Sequence, residues 1–355
     1  QRVEILKALF RDCRVLILDE PTAVLTPRDT QSLFEILLKL REQGLAVIII
    51  THKLEEALQH SQRVTVLRHG KVVGSQETSG TTSAELARRM VGRQTTPVQR
   101  TATTNTSESV VLEVSDLSVA DKRGVHALNA VNFQVRAAEI VGIAGVAGNG
   151  QSELVSVLTG MLQPQRGAMR VRGQTVALGD PRACTHHKIG RIPEDRLRGV
   201  IGDLSVADNL MMEQLDLFTT IGHLQPHAIL EHAQRLINDF QIKAAPSDPV
   251  RTLSGGNIQK VILARTLAQD PAVVIAAQPT RGVDIGATEY VHQKLLEQKQ
   301  RGAAILLISE DLDEILLLSD RILVMYNGRL VGEFDSAAVD MDRLSLLMTG
   351  AEKTG

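Results

Sequence analysis

The residues with the clearest chemical potential are Gly145-Val-Ala-Gly-Asn-Gly-Gln-Ser152, which follow an apolar run over Glu139–Ala144 and lead into a helical pattern over Ser152–Leu162. Gly145, Gly148 and Gly150 let the backbone on either side of Asn149 curl, so that its N–H groups converge on phosphate oxygens. The helix N-terminus that follows adds its dipole. Ser152 is placed to ligate a Mg²⁺ ion that travels with those phosphates. The stretch matches G-x-x-x-x-G-K-[ST] at every position but one, because Gln151 stands where a lysine would touch the β- and γ-phosphates. Loss of that charge-assisted contact, worth about 1.5–3 kcal/mol, predicts affinity or turnover lower by about 10- to 150-fold.

A second constellation begins with Val15-Leu-Ile-Leu-Asp-Glu-Pro-Thr22, an apolar strand ending in adjacent acids. Asp19 can hold the metal shell while Glu20 polarises an attacking water, the division of labour that phosphoryl transfer requires. The strand Leu45–Ile50 then ends in Thr51-His52, which puts an imidazole at the same sheet edge, within reach of a γ-phosphate. A third feature is Leu253-Ser-Gly-Gly-Asn257, running into a helix over Ile258–Ala268. Ser254 reads as its cap, and Gly255 and Gly256 bare backbone N–H groups at a positive helix end suited to an anion.

The elements that must position these residues are organised by a repeat. Gln1-Arg-Val-Glu-Ile-Leu-Lys-Ala-Leu9 matches Gln259-Lys-Val-Ile-Leu-Ala-Arg-Thr-Leu267, and the offset of 258 persists without a gap through Pro21-Thr22 on Pro279-Thr280 and Arg63–Gly74 on Arg321–Gly332. Two copies of one domain are therefore expected: residues 1–92 as the C-terminal part of the first, 93–109 as a linker, and 110–350 as the second. The linker reading rests on the Thr-rich, aperiodic run from Arg93 to Glu108. With the second copy starting near Val110, about 150 residues of the first would lie upstream of Gln1. Within the second copy, β-branched runs (Glu139–Ala144, Ala272–Ala276, Ala303–Ser309) alternate with helical patterns, which predicts an α/β fold with a mainly parallel sheet flanked by helices.

The copies differ where the chemistry lies: Ala277 replaces Asp19, Gln278 replaces Glu20, and Glu310 replaces His52. No Phe, Tyr or Trp lies between Leu117 and Ala127 to stack on an adenine upstream of the loop. The second copy is expected to hydrolyse ATP poorly or not at all.

Composition narrows the class. A net charge of −2 offers no field for nucleic acid, and aromatics at 2% with no Trp remove base-stacking platforms. Apolar residues at 43% can fill two aliphatic cores. The longest apolar runs, such as Leu45–Ile50, fall far short of the roughly 20 residues of a membrane span, so any membrane role is expected to be peripheral. Cys13 and Cys184 suit neither a disulfide framework nor a metal site and read as reduced thiols of a cytoplasmic protein. The opening residues read as a helix already under way, without a secretory signal.

Together these residues resemble the ATP-binding-cassette (ABC) family, specifically the double-cassette ATPases of bacterial sugar and nucleoside importers, over about 1–92 and 110–350. The most specific marks are Leu253–Asn257 with Gln259-Lys-Val, Ala276-Ala-Gln-Pro-Thr-Arg-Gly-Val-Asp284, and Ile192-Pro-Glu-Asp-Arg196, with the nucleoside branch the better fit. The resemblance implies P-loop NTPase cassettes with a helical signature subdomain, ATP and Mg²⁺ as ligands, two transmembrane permease subunits and indirectly a solute-binding protein as partners, and a place at the cytoplasmic face of the membrane. It also implies head-to-tail pairing, in which Asp19, Glu20 and His52 belong to a competent site closed by Ser254–Gly256, and Gly145–Ser152 to a degenerate one. Ala138 replaces a glycine common before this strand, implying a strained turn. Two alternatives stay open: a truncated remnant that hydrolyses nothing, and a soluble tandem cassette acting on ribosomes or DNA, whose charged arm or coiled coil is missing here. The chain as given is expected to have no appreciable ATPase activity of its own.

Overall fold

The computed structural model describes residues 13–22, 25, 27–51, 53–68, 70–91, 109–120 and 126–351; His52, the stretch Gln1–Leu9 and most of the expected linker lie outside them. The chain divides into two compact units, Gln1–Val98 with Asp284–Glu289, and Gln99–Val283 with Tyr290–Gly355.

In the first unit the order is β1 (Val15–Asp19), α1 (Pro27–Glu42), β2 (Ala46–Ile50), α2 (Leu54–His60), β3 (Arg63–Arg68), β4 (Lys71–Glu77) and α3 (Ser83–Val91). Strands β1 and β2 pair in parallel with Val15 opposite Ala46, as the crossover helix between them requires. Leu33, Phe34 and Leu37 of α1 share a core with Leu16 and Leu45. Asp29 in the first turn of α1 and Lys39 and Arg41 in its last turn complement the helix dipole.

In the second unit a four-stranded antiparallel sheet is built from β5 (Val110–Ala120), β6 (His126–Arg136), β8 (Arg166–Val171) and β9 (Gln174–Val176), in the order β6-β5-β8-β9. The larger sheet holds six strands in the order β10-β13-β14-β7-β15-β16: β7 (Ile140–Ala144), β10 (Ile189–Ile192), β13 (Val273–Ala277), β14 (Ala304–Ile308), β15 (Arg321–Tyr326) and β16 (Arg329–Asp335). All its pairs are parallel except β15–β16. Strands β7, β13 and β14 are buried along their whole length, which is why they read as continuous apolar runs rather than alternating ones. Leu112, Val114 and Phe133 from the small sheet, Ile143, Ile275 and Leu306 from the large one, and Leu154 and Leu158 from helix α4 (Gln151–Leu158) share one core. Ala138 takes φ +58°, a left-handed conformation that costs a residue with a Cβ about 1–2 kcal/mol.

Between β10 and residue 253, the chain forms the helical insert: α6 (Val206–Met211) and α7 (Pro226–Asp239), with the short antiparallel pair β11 (Thr219–Thr220) and β12 (His223–Leu224) between them and the short helix α5 (Pro181–His186) preceding β10. Ser205 caps α6 in a reciprocal capping box with Asp208. The insert is tied to helix α8 (Gly255–Leu267) by buried Arg265, which donates to the Gly199 carbonyl at 2.7 Å.

Every element from β1 to α3 recurs 258 residues later, as β13, α9 (Ile285–Gln300), β14, α10 (Leu312–Leu318), β15, β16 and α11 (Met341–Thr349). The fine structure recurs too. Val273 lies opposite Ala304, the bulge at Val66/Leu67 of β3 returns at Val324/Met325, and Glu20 at φ +44° is matched by Gln278 at φ +46°. Thr22 donates to Glu56 at 2.7 Å, and Thr280 to Glu314 at 2.8 Å.

Two helix boundaries and one cap differ from what the sequence predicts. The α4 helix stops at Leu158 rather than Leu162, ahead of Gly160 at φ +73°. Helix α8 begins at Gly255, so Gly255 and Gly256 form its first turn instead of preceding it. Ser254 takes the N-cap position but makes no side-chain cap; its Oγ accepts from Asn257 Nδ2 at 3.0 Å.

Candidate nucleotide site

The loop 145–152 joins the end of β7 to α4, so its backbone leaves a buried strand at the sheet's C-terminal edge and enters a helix N-terminus. Gly148 at φ +88° and Gly150 at φ +111° carry the two left-handed turns. At Gly150 a Cβ would also collide with the Ala127 carbonyl.

Asn149 fixes this loop to the β15–β16 turn. Its Oδ1 accepts from Asn327 N at 2.9 Å, its carbonyl accepts from Gly328 N at 2.8 Å, and its Nδ2 donates to the Val146 carbonyl at 2.9 Å. Gln151 folds back into the same loop: Oε1 accepts from Asn149 N at 3.1 Å and Nε2 donates to the Val146 carbonyl at 3.1 Å. The amide thus satisfies the Asn149 donor within the loop itself.

Ser152, at the start of α4, donates to Glu194 Oε2 at 3.3 Å, and Glu194 Oε1 accepts from Arg281 Nη1 at 2.8 Å. Gly145, Gly148, Gln151 and Ser152 line a cleft opposite Ala277, Gln278, Ser309 and Glu310, with Glu194 at its side. Gln278 N donates to the Ile308 carbonyl at 2.7 Å, and its side-chain Oε1 accepts from Glu310 N at 3.1 Å, so this amide braces the sheet edge. Burial pushes the Glu310 carboxyl above its usual range; Arg281 opposes that shift and Glu194 reinforces it.

Among the described residues no group of three His, Cys, Asp or Glu gathers to hold a metal. A Mg²⁺ here would arrive with the phosphates, with Ser152 as its protein ligand, and the left-handed glycines and the open cleft fit such a ligand. Leu253–Asn257 do not line this cleft. Asn257 Oδ1 accepts from Lys243 N at 3.0 Å, and the Arg196 side chain lies over Gly255.

In the first unit Asp19 ends β1, exposed, and Glu20 N donates to the Ile50 carbonyl at 2.8 Å, the counterpart of the Gln278 bond. The position of Glu310 corresponds to His52, which is outside the described residues.

Known proteins are similar to this chain in sequence and in fold. Residues 128–281 match the ABC transporter family. The glucose import ATP-binding protein of Haloferax volcanii is 45% identical over 99% of this chain and 64% of its own length. The nucleoside import ATP-binding protein of Lactococcus lactis subsp. cremoris is 40% identical over 99% of the chain and 70% of its own length. The chain belongs to the ABC transporter ATP-binding proteins.

It spans 64% to 70% of the length of these two relatives. Among solved structures, a nucleotide-free ATP-binding cassette from an ABC transporter superposes with a TM-score of 0.57 at 22% identity, over 67% of this chain and 95% of its own. A dimeric cassette in a post-hydrolysis state, bound to ADP and Pi, gives 0.56 at 21% identity, over 64% and 100%. Both show the fold alone: an α/β ABC cassette. Among the described residues of this ABC protein, no helix is long and apolar enough to cross a membrane.

The sequence alone assigns no chemical role to Glu194 or Arg281, which stand within the phrases Ile192–Arg196 and Ala276–Asp284. The available signal was the change from Ala23 to Arg281 between the copies, a charge gained beside three chemical losses.

Proposed function

We propose that this chain is the greater part of a tandem-cassette ATP-binding subunit that energises import of a sugar or nucleoside, with one competent and one degenerate nucleotide site. The observation that carries this reading is the repeat itself. The same strand ends, turns and hydrogen bonds recur at an offset of 258 while Asp19, Glu20 and His52 become Ala277, Gln278 and Glu310. A scaffold kept intact while its reactive groups are exchanged is what a cassette pair with unequal sites requires.

Bound ATP with Mg²⁺ would supply the transferable phosphoryl group. Asp19 is assigned to the metal shell, Glu20 to the water that attacks, and His52 to the γ-phosphate, with Ser254–Gly256 of the second copy closing that site. The phosphate loop serving Glu20 belongs, on this reading, to the part of the first cassette that lies beyond the present chain. The loop Gly145–Ser152 belongs to the second site, which retains nucleotide without hydrolysing it. The partners are two permease subunits and, through them, a solute-binding protein, with the ATPase held peripherally at the cytoplasmic face. The phrases Gly148-Asn-Gly-Gln-Ser152 and Ala276–Gly282 favour a nucleoside, while relatives are named for glucose, nucleoside, guanosine and ribose import.

The test is phosphate release by the full-length protein. Glu20→Gln is expected to lower turnover by about 100-fold or more, because it removes the group that polarises water. Undiminished turnover would assign the competent site to the wrong copy.

A further inference from the structure

We propose that Arg281 is the cation that replaces the missing lysine of the loop 145–152: it leaves Glu194 to contact the terminal phosphate of a nucleoside triphosphate. The proposal rests on the reading that this loop holds nucleotide.

Among the described residues, no Lys or Arg lines the cleft, although the triphosphate it should hold is highly anionic. Arg281 stands one carboxylate away. Glu194 links it to Ser152 through its two oxygens, 2.8 Å to Arg281 Nη1 and 3.3 Å to Ser152 Oγ. The backbone of Arg281 is held on both sides: its N–H donates to the Gln278 carbonyl at 3.1 Å, and its carbonyl accepts from Arg196 Nη1 at 2.7 Å. A long side chain on a fixed backbone can change partner without moving the loop.

Relative strengths favour the exchange. The Arg281 and Glu194 side chains are 52% and 40% exposed, and a pair so open to water shifts an equilibrium by less than about fivefold. A guanidinium on a phosphate forms stronger, often bidentate charge-assisted bonds. The carboxylate it leaves behind stays solvated.

The copies supply an independent argument. Where Asp19 and Glu20 are kept, position 23 is Ala; where they become Ala277 and Gln278, the equivalent position is Arg281. An arginine next to a carboxylate that polarises water would pair with it and blunt it. The cation is present only in the copy with no such carboxylate to lose and a lysine to replace.

The test is calorimetric titration of the 355-residue chain with Mg-ATP and with Mg-ADP, alongside thermal melts. Arg281→Ala should weaken Mg-ATP by about tenfold or more and Mg-ADP by less than about threefold, with Arg281→Lys recovering most of the loss. Glu194→Gln should tighten Mg-ATP by up to about fivefold, because the competing partner is gone. If Arg281→Ala weakens both nucleotides equally or neither, or if Glu194→Gln weakens Mg-ATP as Arg281→Ala does, the pair is only a brace and the proposal falls. An unmodified chain that binds no Mg-ATP removes the underlying reading of the loop as well. Binding that is indifferent to Arg281 removes this inference alone.

Discussion

Ile17 and Ile275 occupy the same place in the two copies, on strands with the same register, yet Ile17 is 62% exposed and Ile275 fully buried. Val15, Ile48 and Ile50 repeat the contrast with Val273, Leu306 and Ile308. In the second copy that face of the sheet packs on α4 and the antiparallel sheet; among the described residues of the first unit, only the opposite face has a core. The chemistry is distributed the other way round. The unit with a core on one face of its sheet carries the acids Asp19 and Glu20, and the unit with a core on both faces carries Ala277 and Gln278 at the equivalent positions. The segment from β1 to α3 is thus enough to set strand register, turn geometry and even the Thr–Glu hydrogen bond, while burial depends on what else the chain brings to the sheet.

The largest expected effect tests that difference in burial. Ile275→Ala should cost about 2–5 kcal/mol in urea unfolding, and Ile17→Ala less than about 0.5 kcal/mol. Equal costs would mean that the exposed face of β1–β2 is covered in solution.

The difference in chemistry is sharpened by Gln151→Lys, which returns the ammonium and frees the Asn149 amide at once. Calorimetry with Mg-ATP should read affinity higher by about 10- to 150-fold in an Arg281→Ala background, and by less where Arg281 already supplies a cation. No change would contradict a phosphate-holding role for the loop.

A subtler contrast lies in the buried hydrogen bonds. Glu314 is almost completely buried and takes bonds from Thr280 at 2.8 Å and His292 at 2.9 Å, whereas position 34 of the first copy, equivalent to His292, is a phenylalanine stacked on His60. Thr280→Val should therefore cost about 1–3 kcal/mol, and Thr22→Val nearer 1 kcal/mol, compared by denaturant midpoints. The smallest effect is a gain: Ala138→Gly should relieve the left-handed strain at φ +58° and stabilise by about 0.5–1 kcal/mol, part of the relief being offset by unfolded-state entropy.

Strands buried on both faces were legible because nothing but apolar residues could occupy them, and β7, β13 and β14 lie within one residue of their sequence-derived bounds. Helix ends were less legible. Gly255 and Gly256 have poor helix propensity, yet they open α8 because the residues that follow are buried and impose the helix on them. The Gly-rich loop was visible as a motif, but the direction of Gln151 was not. A glutamine can point to solvent or back at the backbone, and only the Val146 carbonyl and Asn149 amide decide which. The Glu194–Arg281 pair joins residues 87 apart, a meeting made by the sheet rather than by any local pattern.

The brace between Asn149 and the turn at Asn327–Gly328 has a kinetic and entropic consequence. Fixing one residue's backbone costs about 1–2 kcal/mol, and many phosphate-binding loops must spend that when the ligand arrives. Here the loop is ordered beforehand by bonds to a strand turn nearly 180 residues away and by Gln151 itself. On the proposed reading, binding requires the side chains of Gln151 and Arg281 to rotate rather than a segment to freeze, so a weak ligand can still enter and leave quickly, and the Asn149 amide should exchange slowly with solvent deuterium until it does.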